Sequence, residues 1–418
     1  MRRLLLCLAL AGCARAGAVD AALHGDLARL RETIAEESRQ GAIDRDRARE
    51  IARAVAEREV YSATGPDGAR RIRSLRRCAE PLFGVLEARA ETLDEGGAEA
   101  TLSLLAFGRA EKRALVRRFA RSDSGSWRAV AARAATLPEH FALRRAYFAD
   151  PDERVRRAAL EAAYERPGSL DLDALAEAAR LDPDPMWRSL AVRAIGASGG
   201  ERALRALADL WERSEEDVRL SIVEAWSARR AFASGGRAAL LREAESGRGV
   251  TAAAAAGTLL RVDPSSRDLA VTLLVRSIGS GGSDEQRLAI TLIPLERPDV
   301  IEALRGAARG ADPGVQVSAL ERLVELSAER SSAVEALVER SRGDSRAAVD
   351  ARAALARMGA RAPAATLRKE LASRDAGRRT AAGQSLLALG EYASAARLLG
   401  DGSADVRVAT ACAILALD

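Results

Sequence analysis

A serine flanked by small residues is the first candidate for catalysis in this sequence. Residues 196–200 read GASGG, which matches the G-x-S-x-G pattern of serine hydrolases, where a histidine takes the proton of the attacking serine. That chemistry needs a strand before the motif and a histidine within reach. The surrounding residues have helical periodicity, and His24 and His140 are the only histidines. We therefore interpret the string as a turn between two helices and predict that the protein is not an enzyme.

Metal and phosphate sites have no better support. His24 precedes Gly25 and His140 precedes Phe141, so the sequence contains no His-Glu pair of the kind that binds paired irons. It has no G-x-x-x-x-G-K-[ST] loop, and Asp-rich turns such as residues 182–184 lack the glycine and distal glutamate of a calcium loop. We interpret those aspartates as helix caps. The sequence predicts no catalytic residue, no metal, no cofactor and no small-molecule substrate.

The first residues predict export. Two arginines follow Met1 and precede a short apolar run, residues 4–11, which is the layout of a secretory signal and too short for a permanent transmembrane helix. The run ends in LAGC at residues 10–13, which resembles a bacterial lipobox. This resemblance implies cleavage before Cys13, lipidation of Cys13 and, because Ala14 follows, an outer-membrane destination. Ordinary cleavage after residues 14–16, an A-x-A site, is the alternative.

The densest run of charge lies between residues 70 and 77. On a helical wheel, Arg70, Arg73, Arg76 and Arg77 fall on the side opposite an apolar arc. We interpret this segment as an amphipathic helix with a solvated basic face. Contact of these four arginines with anionic headgroups or with a partner is the alternative.

The composition predicts an all-α protein. The 418 residues are 48% hydrophobic and 3% aromatic, which is enough for a core but favours helix-forming aliphatic residues over strand-forming ones. The 65 Lys and Arg are interleaved with 60 Asp and Glu, giving a formal net charge of +5. Charge mixed in this way does not indicate a nucleic-acid partner. Four cysteines are too few for a disulfide scaffold.

A pattern of about 31 residues recurs from residue 127 to the end of the chain. Each copy has a turn rich in Asp, Pro, Gly or Ser, then a pivot residue that is usually apolar, usually an arginine after it and a small residue four positions beyond it. The pivots are Trp127, Val155, Trp187, Val218, Val250, Gln286, Val315, Ala347, Arg378 and Val406. Asp before Pro caps a helix at each such turn, and a second helix follows. Neither helix can bury its apolar face alone, so successive units must stack.

The residues of this pattern resemble HEAT repeats of the short bacterial type. The resemblance implies an α-solenoid of about ten to twelve two-helix repeats with an N-terminal helical cap. We divide the chain into a lipoprotein signal (1–12), a tether and helical cap (13–64), degenerate repeats (65–126) and the repeat solenoid (127–418). By resemblance, the second helices of such arrays line the surface that binds partners.

The two ends of the chain raise separate questions. The final unit stops after one helix, so Ile414, Leu415 and Leu417 need a cover, either a partner surface or a fold-back of the chain. Cys78 and Cys412 are the cysteines left after Cys7 is removed with the signal and Cys13 is lipidated. In an extended solenoid these two lie near opposite ends, so we expect no disulfide between them.

Taken together, the sequence predicts a non-enzymatic lipoprotein scaffold of a bacterial cell envelope. It would be anchored through Cys13, face the periplasm from the outer membrane and bind partner proteins along an extended solenoid surface, with no nucleic acid involved. The alternative is a HEAT-like bilin lyase or a related enzyme-accessory protein. A third interpretation, a structural protein of the membrane surface, differs only in whether the basic face at residues 70–77 binds lipid.

Overall fold

Asp-rich turns start the repeat helices, but not always at the residue that the sequence suggested. Before Pro313, Asp312 accepts a hydrogen bond from the amide of Val315, as an N-cap does. In the Asp-Pro-Asp turns the cap is instead the second aspartate, as at Asp184, which accepts from the amide of Met186 at 2.9 Å. The first aspartate of these turns, Asp182, accepts from the amide of the second and so fixes the turn itself.

The computed structural model describes residues 17–90, 92–108, 112–168, 171–293, 297–325 and 330–417, and within these ranges the only regular elements are helices. In chain order they are α1 (17–24), α2 (Leu27–Arg39), α3 (Arg45–Tyr61), α4 (Gly65–Ser74), α5 (Phe83–Arg89), α6 (Glu95–Gly108), α7 (Lys112–Phe119), α8 (Gly125–Ala134), α9 (Phe141–Tyr147), α10 (Glu153–Glu165), α11 (Leu172–Leu181), α12 (Pro185–Ser198), α13 (Gly200–Trp211), α14 (Glu216–Trp226), α15 (Arg229–Ala231), α16 (Arg237–Ser246), α17 (Val250–Val262), α18 (Arg267–Ser280), α19 (Ser283–Leu292), α20 (Pro298–Ala308), α21 (Pro313–Glu325), α22 (Arg330–Arg340), α23 (Arg346–Arg357), α24 (Ala364–Glu370), α25 (Ala376–Ala388), α26 (Tyr392–Ala396) and α27 (Ala404–Leu415). Short 3-10 turns join several of them. The chain forms two compact units, residues 1–110 with 351–418 and residues 111–350.

The unit formed by residues 111–350 has two layers of helices. The first helices of its repeats, α8, α10, α12, α14, α17, α19 and α21, pack each against the next. The second helices form the other layer, in which α11 lies beside α13 and α18 beside α20. Pivot residues such as Val155 and Val218, and the alanine four beyond the first of them, Ala159, are buried between the layers. This is the α-solenoid of two-helix repeats that the periodicity predicts.

Close packing of first helices depends on small residues at the contact. A Cβ atom built on Gly196 in α12 would lie 2.6 Å from both the Cβ and the carbonyl oxygen of Ala225 in α14. No side chain fits at that distance, so glycine is required for α12 and α14 to approach as they do. This packing role accounts for the first glycine of the GASGG string.

The other unit contains both the N-terminal helices and the last repeats. Helix α3 packs along α27, and α2 contacts α26 and the turn before α27. Leu30 and Ile51 of the N-terminal helices share a buried core with Leu399, Ile414 and Leu415. The chain itself therefore covers the last helix. Of the two alternatives that the sequence left open, a partner surface or a fold-back of the chain, the structure has the fold-back. The N-terminal helices that the sequence predicts as a cap pack on the C-terminal repeat.

Candidate interaction surface

The arginine after the pivot closes the turn in front of its own helix. Arg156 in α10 donates through Nη1 to the carbonyl oxygens of Asp150 and Pro151, at 2.8 and 3.0 Å. The same two bonds, to carbonyls six and five residues earlier, recur at Arg128, Arg188, Arg379 and Arg407. A guanidinium has several donors in one plane, which explains why this residue type repeats.

Two of these arginines also form bidentate pairs with the aspartate of the following turn. Arg128 contacts the two carboxylate oxygens of Asp150 at 2.9 Å each, and Arg379 contacts those of Asp401 at 2.7 and 2.9 Å. Such bidentate pairs are strong and geometrically specific. The bonds from Arg128 hold the pKa of Asp150 below its usual value. These charges are used within the fold and leave little to attract a partner.

At the last repeat, the acidic partner of the arginine after the pivot is a glutamate from the N-terminal helices. The Nε of Arg407 lies 2.9 Å from Oε1 of Glu59, a residue of α3 that is only 5% exposed. Arg49 of the same helix donates to the carbonyl of Leu417 at 2.7 Å. Helix α3 thus supplies Arg407 with a carboxylate, as the following turns do for Arg128 and Arg379.

A disulfide joins Cys78 to Cys412, which corrects the expectation that the two cysteines lie far apart. Their Cα atoms are 5.2 Å apart although 334 residues separate them along the chain. Both cysteines are buried, Cys78 in the turn after α4 and Cys412 in α27. The expectation was wrong because it assumed an extended array, whereas the N-terminal helices pack on the C-terminal repeat. No local sequence signal pairs the two residues.

Most of the basic residues after residue 69 lie on the surface, as the helical wheel predicts, but at least three of the group have acidic partners. Ile72 and Leu75 are buried, and Arg70, Arg73 and Arg76 are exposed. Arg73 pairs with Glu99. The helix is shorter than expected, because α4 ends at residue 74 and a 3-10 turn follows.

Arg70 of this group lies 3.5 Å from Asp67 and 3.8 Å from Asp405. The side chain of Arg77 and the whole of Cys13 are outside the described residues. A role for these residues in membrane or partner contact, and lipidation of Cys13, stay predictions.

The candidate catalytic residues do not come together. Ser198 ends α12 and donates to the carbonyl of Ala194 in its own helix at 3.0 Å. His24 is exposed and bonds to the carbonyl of Asp20 at 2.9 Å, and His140 lies in the turn before α9. Among the described residues, neither histidine contacts Ser198, and no cluster of metal-ligating side chains was found. In the same part of the chain, no helix has the length and apolar character to span a membrane.

Two grooves open beside α11, a second helix of the solenoid, and sequence reasoning missed both. The first, of about 420 Å³, lies between the ends of α9 and α11 and is bordered by Phe148, Leu160 and Leu181. Leu181 is 70% exposed, a high value for a leucine, and nearby Met186 is 59% exposed. Exposed apolar side chains beside a groove are typical of contact surfaces. The sequence signal was available in Leu181, which ends α11 immediately before the Asp-Pro turn.

The second groove, of about 480 Å³, lies between α11 and α13. We call it the Arg groove, and its charged lining residues are Asp173, Arg180, Arg202, Arg205, Asp209 and Arg213. Both helices are second helices of their repeats. The sequence resemblance attributes partner binding to this layer, but it did not point to these arginines.

Comparison with known proteins relates one segment of the chain to a known family of repeats. Residues 142–227, which run from α9 to the end of α14, match a family model described as HEAT repeats. This segment of the chain is similar to HEAT repeats. No curated protein matches the chain. A crystal structure of an engineered protein aligns at 18% identity over 86% of this chain and 97% of that one, with a TM-score of 0.28. Helical repeats of this kind generally present binding surfaces rather than catalytic sites.

Proposed function

We propose that the protein is a lipid-anchored scaffold of a bacterial cell envelope, which binds partner proteins through the second-helix layer of its HEAT repeats. The disulfide between Cys78 and Cys412 carries the localisation part of this proposal. Disulfides persist in exported proteins and are rare in the reducing cytosol of ordinary bacteria. A disulfide therefore agrees with the export signal at the N-terminus, although the two features come from independent parts of the sequence.

Membrane attachment rests on the residues around Cys13. The short apolar segment before it directs export, and a diacylglyceryl group with an amide-linked chain would exceed the two signals that stable anchoring needs. Processing at this cysteine would remove residues 1–12. The folded protein would then be held at the outer membrane, facing the periplasm, without a transmembrane helix.

Partner binding rests on the described surface of α9, α11 and α13. This surface has two neighbouring grooves, an apolar residue exposed at Leu181 and three arginines, Arg180, Arg205 and Arg213, that form no ion pair with any described residue. The first-helix layer differs, since its arginines are mostly held by turn carbonyls and aspartates, as at Arg128 and Arg156. The second-helix layer is therefore the surface with unused binding capacity.

The anchor is tested by the intact mass of the protein from membranes of a Gram-negative host, beside a Cys13→Ala variant. We expect a mass that begins at Cys13 and carries three acyl chains, with the variant unprocessed. A mature chain that starts after residue 16 without lipid would refute the anchor and leave the scaffold. An unprocessed chain in the cytosol with reduced Cys78 and Cys412 would refute the envelope location altogether.

The binding surface is tested by photo-crosslinking in intact cells. A benzophenone amino acid replaces Leu181 in the second-helix layer or, as a matched control, Tyr164 in α10, which is 46% exposed. We expect a discrete crosslinked protein at position 181 and none at position 164. The same pattern of products at both positions, or none at either, would contradict partner binding by the second-helix layer.

A further inference from the structure

We infer that the Arg groove between α11 and α13 binds an acidic segment of a partner protein. This inference deepens the proposed function and rests on it, because it names the chemistry of the partner that the second-helix layer takes. The groove lies within the residues that match HEAT repeats and is formed by two successive repeats.

The charge of the groove is the first step. Its lining contains four arginines and two aspartates, all of them exposed. Arg202 is paired with Asp173 at 3.2 Å. Arg180 donates to the carbonyl of Ala176 in its own helix. Within the described structure, no carboxylate forms an ion pair with Arg180, Arg205 or Arg213, so the groove has positive charge that the fold does not use.

The shape of the surface is the second step. The groove bordered by Leu181 and Phe148 shares Asp173 with the Arg groove, so the two lie on either side of α11. A peptide segment that crosses α11 would place carboxylates beside the arginines and an apolar side chain against Leu181. Burying an exposed leucine adds affinity, and complementary charges set the orientation and the partner.

The third step is to decide which kind of polyanion, a nucleic acid or an acidic polypeptide, fits the Arg groove. Asp173 and Asp209 lie among the arginines and would repel a continuous line of phosphates. No aromatic side chain lines the Arg groove, so bases would have no surface to stack on. A polypeptide can avoid both problems, because it can present carboxylates and amides at separate positions. An acidic protein segment therefore fits the groove better than nucleic acid does.

The test uses the full chain and short fluorescent peptides. The probe peptide alternates Glu with Leu, and its control has Gln in place of each Glu. The test variant combines R180E, R205E and R213E. The matched variant combines R229E, R248E and R261E, which change the same number of exposed arginines that lack an ion pair but lie outside the two grooves.

We expect the wild-type protein to bind the Glu peptide at least about ten-fold more tightly than the Gln peptide. The groove variant should lose about ten-fold or more in affinity, while the matched variant should stay within about two-fold. Far-ultraviolet circular dichroism of both variants should match the wild type, since these side chains are exposed. If the groove variant does not keep its helical signal, R205A alone is compared with R248A, with the same direction expected.

Three results would overturn the inference. The first is equal loss of peptide affinity in the groove and matched variants, which would indicate a general charge effect. The second is tighter binding of a single-stranded oligonucleotide than of the Glu peptide, and the third is tighter binding of vesicles containing an anionic lipid. Failure of the inference is distinguishable from failure of the proposed function. A groove variant that still crosslinks to its partner through position 181 would refute only the acidic partner.

Discussion

Breaking the disulfide should release the N-terminal helices from the last repeat. The perturbation is Cys78→Ala, Cys412→Ala or both, in a background in which Cys7 and Cys13 are serine, so that no other thiol is present. The crosslink closes a loop of 334 residues. For a loop of that length, the chain-entropy relation gives an upper value of about 6 kcal/mol, and removal of native disulfides more often costs about 2–5 kcal/mol.

Urea unfolding, followed by circular dichroism under oxidising and reducing conditions, measures this loss. We expect the midpoint of the transition that includes α3 and α27 to fall in each single variant. The free energy of unfolding of the double variant should lie within about 1 kcal/mol of that of the single variants, because each change removes the same bond. Reductant should lower the midpoint of the wild type to that of the variants and should leave the variants unchanged. Amide exchange in α27 should rise in the same samples.

Two outcomes would refute this reasoning. One is the alkylation of two thiols per chain in the oxidised, denatured protein, which would mean that Cys78 and Cys412 are not joined. The other is additive loss in the double variant with no effect of reductant on the wild type. That result would mean that the two side chains contribute only as separate buried groups.

Three further predictions concern the contacts that hold the helices together. Arg407→Ala should destabilise the last repeat by about 3 kcal/mol, because it leaves the buried Glu59 without its closest partner. Urea unfolding of this variant, beside Glu59→Gln, checks the prediction. A loss of unfolding free energy below about 0.5 kcal/mol would contradict it. Gly196→Ala should lower the free energy of unfolding by about 1–3 kcal/mol despite the higher helix propensity of alanine, because the added Cβ would overlap Ala225. Equal or higher stability in thermal unfolding would show that α12 and α14 can separate. Asp263→Asn should destabilise the protein at neutral pH, and the difference in stability between wild type and variant should shrink as the pH falls from about 4 towards 2. A difference that stays constant across that range in urea unfolding would refute the lowered pKa of Asp263.

The last of these follows from the direction of one pKa shift. Hydrogen bonds from Ser265 and Ser266, and a smaller effect of Arg237, lower the pKa of Asp263 to about 2. Because the folded protein favours the ionised carboxylate, the resulting stability is complete above the pKa of the unfolded chain, near 4. It is lost as the pH falls through the folded value. Asparagine cannot ionise, so the variant lacks this stability at any pH.

Local sequence was enough to predict the repeat. Valine at the pivots, alanine four residues later and aspartate in the turns occupy the positions that the helical period assigns to them, and Val155, Ala159 and Asp312 have the predicted burial or capping roles. These features depend on neighbours within one or two turns of helix, so the residues involved are close in sequence. The shift of the cap from the first to the second aspartate in Asp-Pro-Asp turns is a smaller error of the same local kind.

The binding surface was predicted only as a layer. The resemblance to HEAT repeats indicated the second helices, but the Arg groove is formed by residues of two successive repeats that are about 30 positions apart. Which arginines lack an acidic partner depends on the side chains across the groove. Composition shows many arginines and does not separate Arg156, held by its turn, from Arg205, which is not.

The sequence by itself therefore determined the helical class, the period of the repeat, the Asp-rich turns that precede the repeat helices and the apolar last helix that needed a cover. Only the tertiary structure decided what provides that cover, that Glu59 pairs with Arg407, and that Cys78 meets Cys412. The physical reason is distance along the chain. Contacts within a repeat are fixed by helical geometry, whereas a contact between residues more than 300 positions apart leaves no signal in the helical period of either segment.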